Sequence, residues 1–243
     1  VLNPFDATIL FFFNQFAQRS WMFDSTVVFV VRSDLLKGGA VTALLWVAWF
    51  IADRDETRRR LVVMGAMLAS FVSLFTARAL AVTLPFRTRP AHMEELAFRL
   101  PYRTKPDYLD SWSAFPSDHA ALFFAMATSI LFISRRWGIL TLAYVIGIIC
   151  LPRVYLGLHY PTDILAGAAI GSLAAYLLHR NSRVTHFLER QALGWSKQNP
   201  SAFYACFFLL SYQFATLFKD VRNLGQFSLE LIRGTSRILS QTP

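Results

Sequence analysis

Only two cysteines, Cys150 and Cys206, stand in the 243 residues, and both fall inside apolar runs. That argues against a disulfide framework and reads both as buried small hydrophobes. The chain has no internal repeat, no low-complexity tract and no Gly-rich loop of the Walker type, which excludes repeat architectures and P-loop nucleotide chemistry. It has no Gly-x-Ser-x-Gly elbow, so Ser117 is a weak candidate for a serine nucleophile. No cluster of carboxylates or cysteines offers a metal site, and no cofactor is implied. A His-x3-Asp pair alone lacks a third ligand, for which His92 and Glu94 are the alternatives. Acidic residues are scarce: 15 Asp and Glu face 24 Lys and Arg, a net charge of +9. The basic residues are scattered over loops and form no nucleic-acid motif, so the charge suits anionic lipid headgroups better than nucleic acid. No basic stretch precedes the first apolar run, so no cleavable signal peptide is expected.

What the chain has in excess is apolar surface: 55% of it is hydrophobic, with 23 Phe. That is too apolar for a soluble domain and fits a polytopic membrane protein. Five windows, residues 35–52, 61–84, 117–133, 138–158 and 163–178, approach the ~20 residues of a bilayer crossing, and 201–218 is expected to be a sixth. Residues 8–16 and 23–31 are too short to span, and Arg19, Asp24, Arg32 and Asp34 interrupt them. They read as interfacial helices, with a single broken crossing as the alternative. The expectation is an all-α polytopic bundle of five to six transmembrane helices with interfacial N-terminal helices. Residues 1–180 form the membrane domain. Residues 181–243 form a linker, the further helix and an amphipathic tail at 225–239.

Lys and Arg bias sets the orientation. Arg54, Arg58, Arg59 and Arg60, then Arg135 and Arg136, then Arg180, Arg183, Arg190 and Lys197 mark three cytoplasmic connections. The loop 85–114 and the turn around His159 then fall on the outer face. His179 and His186 fall on the opposite, cytoplasmic side. A spanning 201–218 would carry Lys219, Arg222, Arg233 and Arg237 outward, against the rule, unless that segment is re-entrant or the N-terminal helices add a crossing.

Three segments meet at the outer depth. The first is Arg153, His159 and Asp163. An imidazole can attack phosphorus, a carboxylate four residues on can hold its tautomer, and a guanidinium matches phosphoryl oxygens. The second is Pro116-Ser-Asp-His119, where Ser117 caps a helix whose free N–H groups suit phosphate. The third is Arg87-Thr-Arg89 at the end of a spanning run. Each has a plain alternative: an incidental helix-start pair, an ordinary cap, and snorkelling arginines. Their convergence on one face argues for a single site.

Together these segments make the chain resemble the type 2 phosphatidic acid phosphatase (PAP2) superfamily, which shares its site with vanadium haloperoxidases. The family pattern runs Lys-x6-Arg-Pro, Pro-Ser-Gly-His, then Ser-Arg-x5-His-x3-Asp. This chain has Arg89-Pro90, Pro116-Ser-Asp-His119 and Arg153-x5-His159-x3-Asp163. The resemblance covers roughly residues 3–180. It departs at Val82 (the lysine position), Pro152 and Asp118. Arg78 or Arg87 can replace the lysine, and Arg87 is favoured as nearer the membrane exit. The Pro-Ser-Asp-His variant, the Asn3-Pro-Phe-Asp6 stretch and Met22-Phe-Asp24 look like the branch acting on undecaprenyl pyrophosphate.

The resemblance implies His159 as nucleophile through a phosphohistidine, Asp163 orienting it, and His119 as general acid, then base. It implies Arg89, Arg153, Arg87, Ser117 and the Asp118 backbone as phosphate binders. The expected activity is a lipid phosphatase of the bacterial inner membrane, with its site facing the periplasm or exterior. Undecaprenyl pyrophosphate is the lead substrate; phosphatidylglycerol phosphate, phosphatidic acid and lipid A phosphate are alternatives. A non-catalytic lipid-binding or transport protein is the other class.

Overall fold

The computed structural model describes residues 2–52, 54–104, 112–221, 223, 224 and 227. The amphipathic tail expected at 225–239 falls almost wholly outside them. Among the described residues the chain is helical and contains no strand. Helices α1 (Pro4–Asn14) and α2 (Trp21–Arg32) precede a π-turn (Leu35–Gly39) that opens α3 (Ala40–Phe50). Then come α4 (Glu56–Thr83), α5 (Asp118–Leu131) and α6 (Arg135–Tyr144), which runs through a π-turn (Val145–Cys150) into α7 (Leu151–Tyr155). Finally come α8 (Pro161–Arg180), α9 (Ser182–Leu188), α10 (Gly194–Gln198) and α11 (Pro200–Ala215).

Glu56–Thr83, Arg135–Tyr155 and Pro161–Arg180 are long and apolar enough to cross a membrane. Their outer faces expose Phe71, Phe75, Ile139, Leu173 and Leu177, as surfaces solvated by lipid do. Leu35–Phe50 and Asp118–Leu131 are shorter apolar helices. α5 starts where the expected 117–133 crossing does and ends two residues short of it; its first turn opens inside the bundle beside a polar cavity, where a helix end is tolerated. Cys150 is buried as expected, but Cys206 is exposed, on the outside of α11; both are free thiols.

α5 is the buried centre, with Ala120–Phe123, Ala125–Ala127 and Ile130 all nearly inaccessible. α8 packs against it through Gly167 and Gly171. A Cβ at Gly167 would fall on the Ser117 carbonyl, and one at Gly171 on that of Ala121. Small residues let the two backbones touch, the usual solution where lipid supplies no hydrophobic drive between helices. The two helix starts are thereby held together, and Ser117 N–H donates to the Asp163 carbonyl at 3.0 Å.

α11 lies antiparallel along α3. Trp46 Nε1 donates to Ser211 Oγ at 3.0 Å, Trp49 Nε1 donates to Tyr204 Oη at 3.1 Å, and Gly38 sits against Ala215. α11 therefore runs the length of α3. Its C-terminal end reaches the same end of the bundle as His119 and His159.

The N-terminal helices cap that end and are stapled by two buried aspartates. Asp6 accepts from Thr162 N at 2.8 Å and Thr162 Oγ1 at 2.6 Å. Asp24 accepts from Gln18 N at 3.0 Å, from Tyr102 N at 2.9 Å and from the Tyr155 hydroxyl.

Candidate active site

Gly157 makes the turn that joins α7 to α8. Its φ of +67° is left-handed, and a side chain there would strike Phe98. Leu158 N–H donates back to the Arg153 carbonyl at 2.9 Å, so Arg153 and His159 share one wall. The preceding π-turn ends at Cys150, and Pro152, which has no N–H to donate, stands in the first turn of α7. Arg153 is buried, and its guanidinium donates to the Ile149 carbonyl.

His159 is 4% exposed, and its Nδ1 lies 2.8 Å from the Ala114 carbonyl oxygen. A carbonyl only accepts, so Nδ1 carries the proton and Nε2 keeps its lone pair. Asp163 Oδ2 is 3.7 Å from Nδ1, a charge contact and not a hydrogen bond. The expected Asp163 contact is thus present as a neighbouring charge, while the Ala114 carbonyl is the hydrogen-bond acceptor for Nδ1–H. Burial holds the His159 pKa below 6.5 against the pull of Asp163, and Arg89 adds to the depression. Burial and Arg89 thus both favour the neutral ring.

Asp163 is itself tied down. Its Oδ2 accepts from Tyr160 N at 2.7 Å, closing the first turn of α8, and its Oδ1 pairs with Arg87. Arg87 also reaches Asp6 at 2.8 Å and Thr162 Oγ1 at 2.9 Å, and it lies 4.1 Å above the Tyr160 ring. Although burial alone would raise the Asp6 pKa, hydrogen bonds from Thr162, Arg87 and Asn3 hold it below the ordinary value of 3.8.

His119 stands in the first turn of α5 with Nδ1 2.8 Å from Asp118 Oδ1, while the other Asp118 oxygen pairs with Arg78. The Arg78 guanidinium lies 4.3 Å above the Trp112 ring. Arg89, 5% exposed, donates to the carbonyls of Trp112 at 3.2 Å and of Leu158. It thus fixes the residue before His159 as well as facing the cavity.

The cavity, about 600 Å³, is lined by His119, His159, Arg78, Arg89, Arg153 and Asp118 among others. Ser117 and Arg87 do not line it. Ser117 is fully buried and caps α5 through Ala120 N–H; Arg87 is held behind Asp163. Arg78, one turn before the lysine position, stands in the cavity instead. Val82, at that position, is 85% exposed on the outside of α4. Asp118 contributes its carboxylate, which the reading of its backbone N–H missed. Asp6 entered the sequence reading only as part of the Asn3-Pro-Phe-Asp6 stretch and was not assigned to the site, although an acid inside an apolar run is a recognisable signal. It missed Lys37 and Lys219, which line the cavity and carry no motif.

Among the described residues no three His, Cys, Asp or Glu side chains gather as a metal site. His179 sits at the opposite end, 2.9 Å from Ser129 Oγ.

Residues 61–185, half of the chain, match the model of the PAP2 superfamily. A protein of Escherichia coli K12, provisionally named undecaprenyl-diphosphatase YbjG, is 28% identical over 178 residues, covering 72% of this chain and 81% of that protein. The lipid A 4′-phosphatase of Porphyromonas gingivalis is 27% identical over 164 residues, covering 65% of this chain and 66% of that protein. A crystal structure of a PAP2-type phosphatidylglycerolphosphate phosphatase from Bacillus subtilis aligns over 76% of this chain and 85% of its own, at TM-score 0.45 and 18% identity. That last likeness is too loose to carry weight.

Proposed function

The chain belongs to the PAP2 superfamily of membrane phosphatases, and on that premise we propose that it removes the terminal phosphate of undecaprenyl pyrophosphate at the outer face of the bacterial inner membrane. The observation that carries the reaction is the pair of histidines on one cavity, each with Nδ1 committed to an acceptor. His159 Nε2 attacks the terminal phosphorus. The phosphorus–oxygen bond to the leaving group breaks as His119, entering as the imidazolium with its Nδ1–H on Asp118, gives its Nε2 proton to that oxygen and becomes neutral. In the second half, His119 takes a proton from water, the water oxygen attacks phosphorus, the phosphorus–nitrogen bond breaks and inorganic phosphate leaves. Arg89 and Arg153, with Arg78 behind Asp118, stabilise the charge that builds on the phosphoryl oxygens.

The lead substrate rests on the Pro-Ser-Asp-His variant and on the relative named for undecaprenyl diphosphate. The lipid A 4′-phosphatase relative keeps a phosphorylated glycolipid as the second reading. The outward orientation rests on the basic connections 54–60, 135–136 and 180–197, all at the end opposite the cavity.

The test is phosphate release in detergent with EDTA present, comparing undecaprenyl pyrophosphate, phosphatidic acid, phosphatidylglycerol phosphate and lipid A. Release from undecaprenyl pyrophosphate that vanishes in His159→Ala supports the reading. Preference for another lipid overturns the substrate, and binding without turnover of any lipid overturns the activity. With an activated aryl phosphate, whose leaving group needs no acid, His119→Ala is expected to accumulate acid-labile phosphoprotein.

A further inference from the structure

The cavity holds more positive charge than one phosphate needs. Arg32, Lys37, Arg78, Arg89, Arg153 and Lys219 line it, against the carboxylates of Asp34 and Asp118, a formal surplus of four. A phosphate monoester brings about −1.5 to −2 near pH 7. A diphosphate adds a further ionised oxygen, and that oxygen needs its own partner.

Two of these cations come from outside the three motif segments. Lys37 stands in the π-turn that opens α3, and Lys219 follows the end of α11. Gly38 brings them together: its Cα lies so close to Ala215 that any side chain would overlap the Ala215 backbone. The start of α3 and the end of α11 are therefore in backbone contact. Lys37 Nζ is 2.7 Å from Asp34 Oδ1, its side chain is 12% exposed, and it lies within electrostatic reach of Arg153, Lys219 and His119.

The backbone before Lys219 is strained. Leu217 (φ 49°) and Phe218 (φ 56°) are both left-handed, and neither is glycine. Such residues persist only where their surroundings over-determine them, and they gather at ligand clamps and active sites. Here Leu217 is 4% exposed, and Phe218 N–H donates to the Gln213 carbonyl at 2.7 Å. The double step ends α11 and turns Thr216, Leu217 and Lys219 onto the cavity.

We propose that Lys37 and Lys219 form a second phosphate subsite, which holds the lipid-proximal phosphate of a diphosphate while the terminal phosphate lies between His159 and His119. When the phosphorus–oxygen bond to the bridging oxygen breaks, the departing lipid phosphate gains charge, and the two ammonium groups balance it. A lipid monophosphate has no group for this subsite. The inference rests on the phosphatase reading above and says where its selectivity resides.

The experiment measures kcat/KM on undecaprenyl pyrophosphate and undecaprenyl monophosphate, which share a tail and differ by one phosphate, for the full chain in detergent. Lys219→Ala is the primary variant, since its side chain lies at the exposed end. Lys37→Ala is made together with Asp34→Asn, so that no unpaired carboxylate remains. The expected result is a fall of roughly tenfold or more in the diphosphate-to-monophosphate ratio, with Lys219→Arg restoring most of it. An unchanged ratio in Lys219→Ala overturns the subsite, whatever the absolute rates. A wild-type chain that prefers the monophosphate also overturns it, and leaves the phosphatase reading standing. A wild-type chain that releases phosphate from neither lipid, nor from phosphatidic acid, sinks the phosphatase reading and the subsite with it.

Discussion

His119 Nδ1 lies 2.8 Å from Asp118 Oδ1, and the far oxygen of the same carboxylate pairs with Arg78. The residue at the family's glycine position thus orients the proposed acid. With its Nδ1–H donated to Asp118, His119 keeps Nε2 for the substrate, and in the proposed mechanism the carboxylate stabilises the imidazolium.

Asp118→Asn removes that charge and unsettles the tautomer. We expect kcat to fall by about 10²–10⁴, with KM changing by less than about threefold, because a positioning group acts in the transition state. An activated aryl phosphate should suffer less in its first half-reaction, which single-turnover measurements would resolve. Equal losses in kcat and KM would mark Asp118 as a substrate-binding group instead.

The acid limb of activity should follow His159. Attack needs the neutral ring, and burial with Arg89 nearby holds the pKa below 6.5. The midpoint of kcat/KM on the acid side is therefore expected below pH 6.5. In Arg89→Gln it should move upward, because a neighbouring positive charge that disfavours the imidazolium is gone. A midpoint at or above 6.5 in the wild type would mean that another group controls this limb.

Asp6 and Arg87 act behind the site. Asp6→Ala leaves Arg87 and the Thr162 N–H without their buried acceptor, at a cost of about 3 kcal/mol, the low end for breaking a buried pair. The melting temperature in detergent should drop, and activity with it, since Asp163 loses the partner of its partner. A fully stable Asp6→Ala would show that α1 does not support the site.

Gly171→Leu tests the contact that holds α5 to α8. The added side chain meets the Ala121 carbonyl and the Ala125 N–H, which cannot move aside. Overpacking of this kind costs about 1–3 kcal/mol or more. We expect lower yield of folded protein and lost activity even in the folded fraction, because the starts of α5 and α8 carry His119 and Asp163. Size-exclusion profiles and activity per folded molecule would check this.

Orientation is open to labelling. In a Cys206→Ser background, Glu95→Cys near the cavity end should react with a membrane-impermeant maleimide on intact cells. Arg183→Cys should react only after lysis. The reverse pattern would place the cavity in the cytoplasm and remove the extracytoplasmic role.

The amino-acid sequence by itself determined the apolar windows, the all-helical class and the histidines with their arginines. Those features follow from composition and from spacings of a few residues, which survive in one dimension. His159, Arg153 and Asp163 lie within a turn or two of one another, so their convergence was legible. Tertiary structure alone decided which neighbours each polar group meets. Arg78 and Arg87 were both candidates for the missing lysine, and nearness to the membrane exit favoured Arg87. Helix rotation puts Arg78 in the cavity, and the approach of α1 holds Arg87 against Asp6 and Asp163. Lys37 and Lys219 are 182 positions apart, and no local pattern joins them. They line one cavity because Gly38 lets two backbones touch and because a strained turn ends α11, both consequences of packing between distant segments.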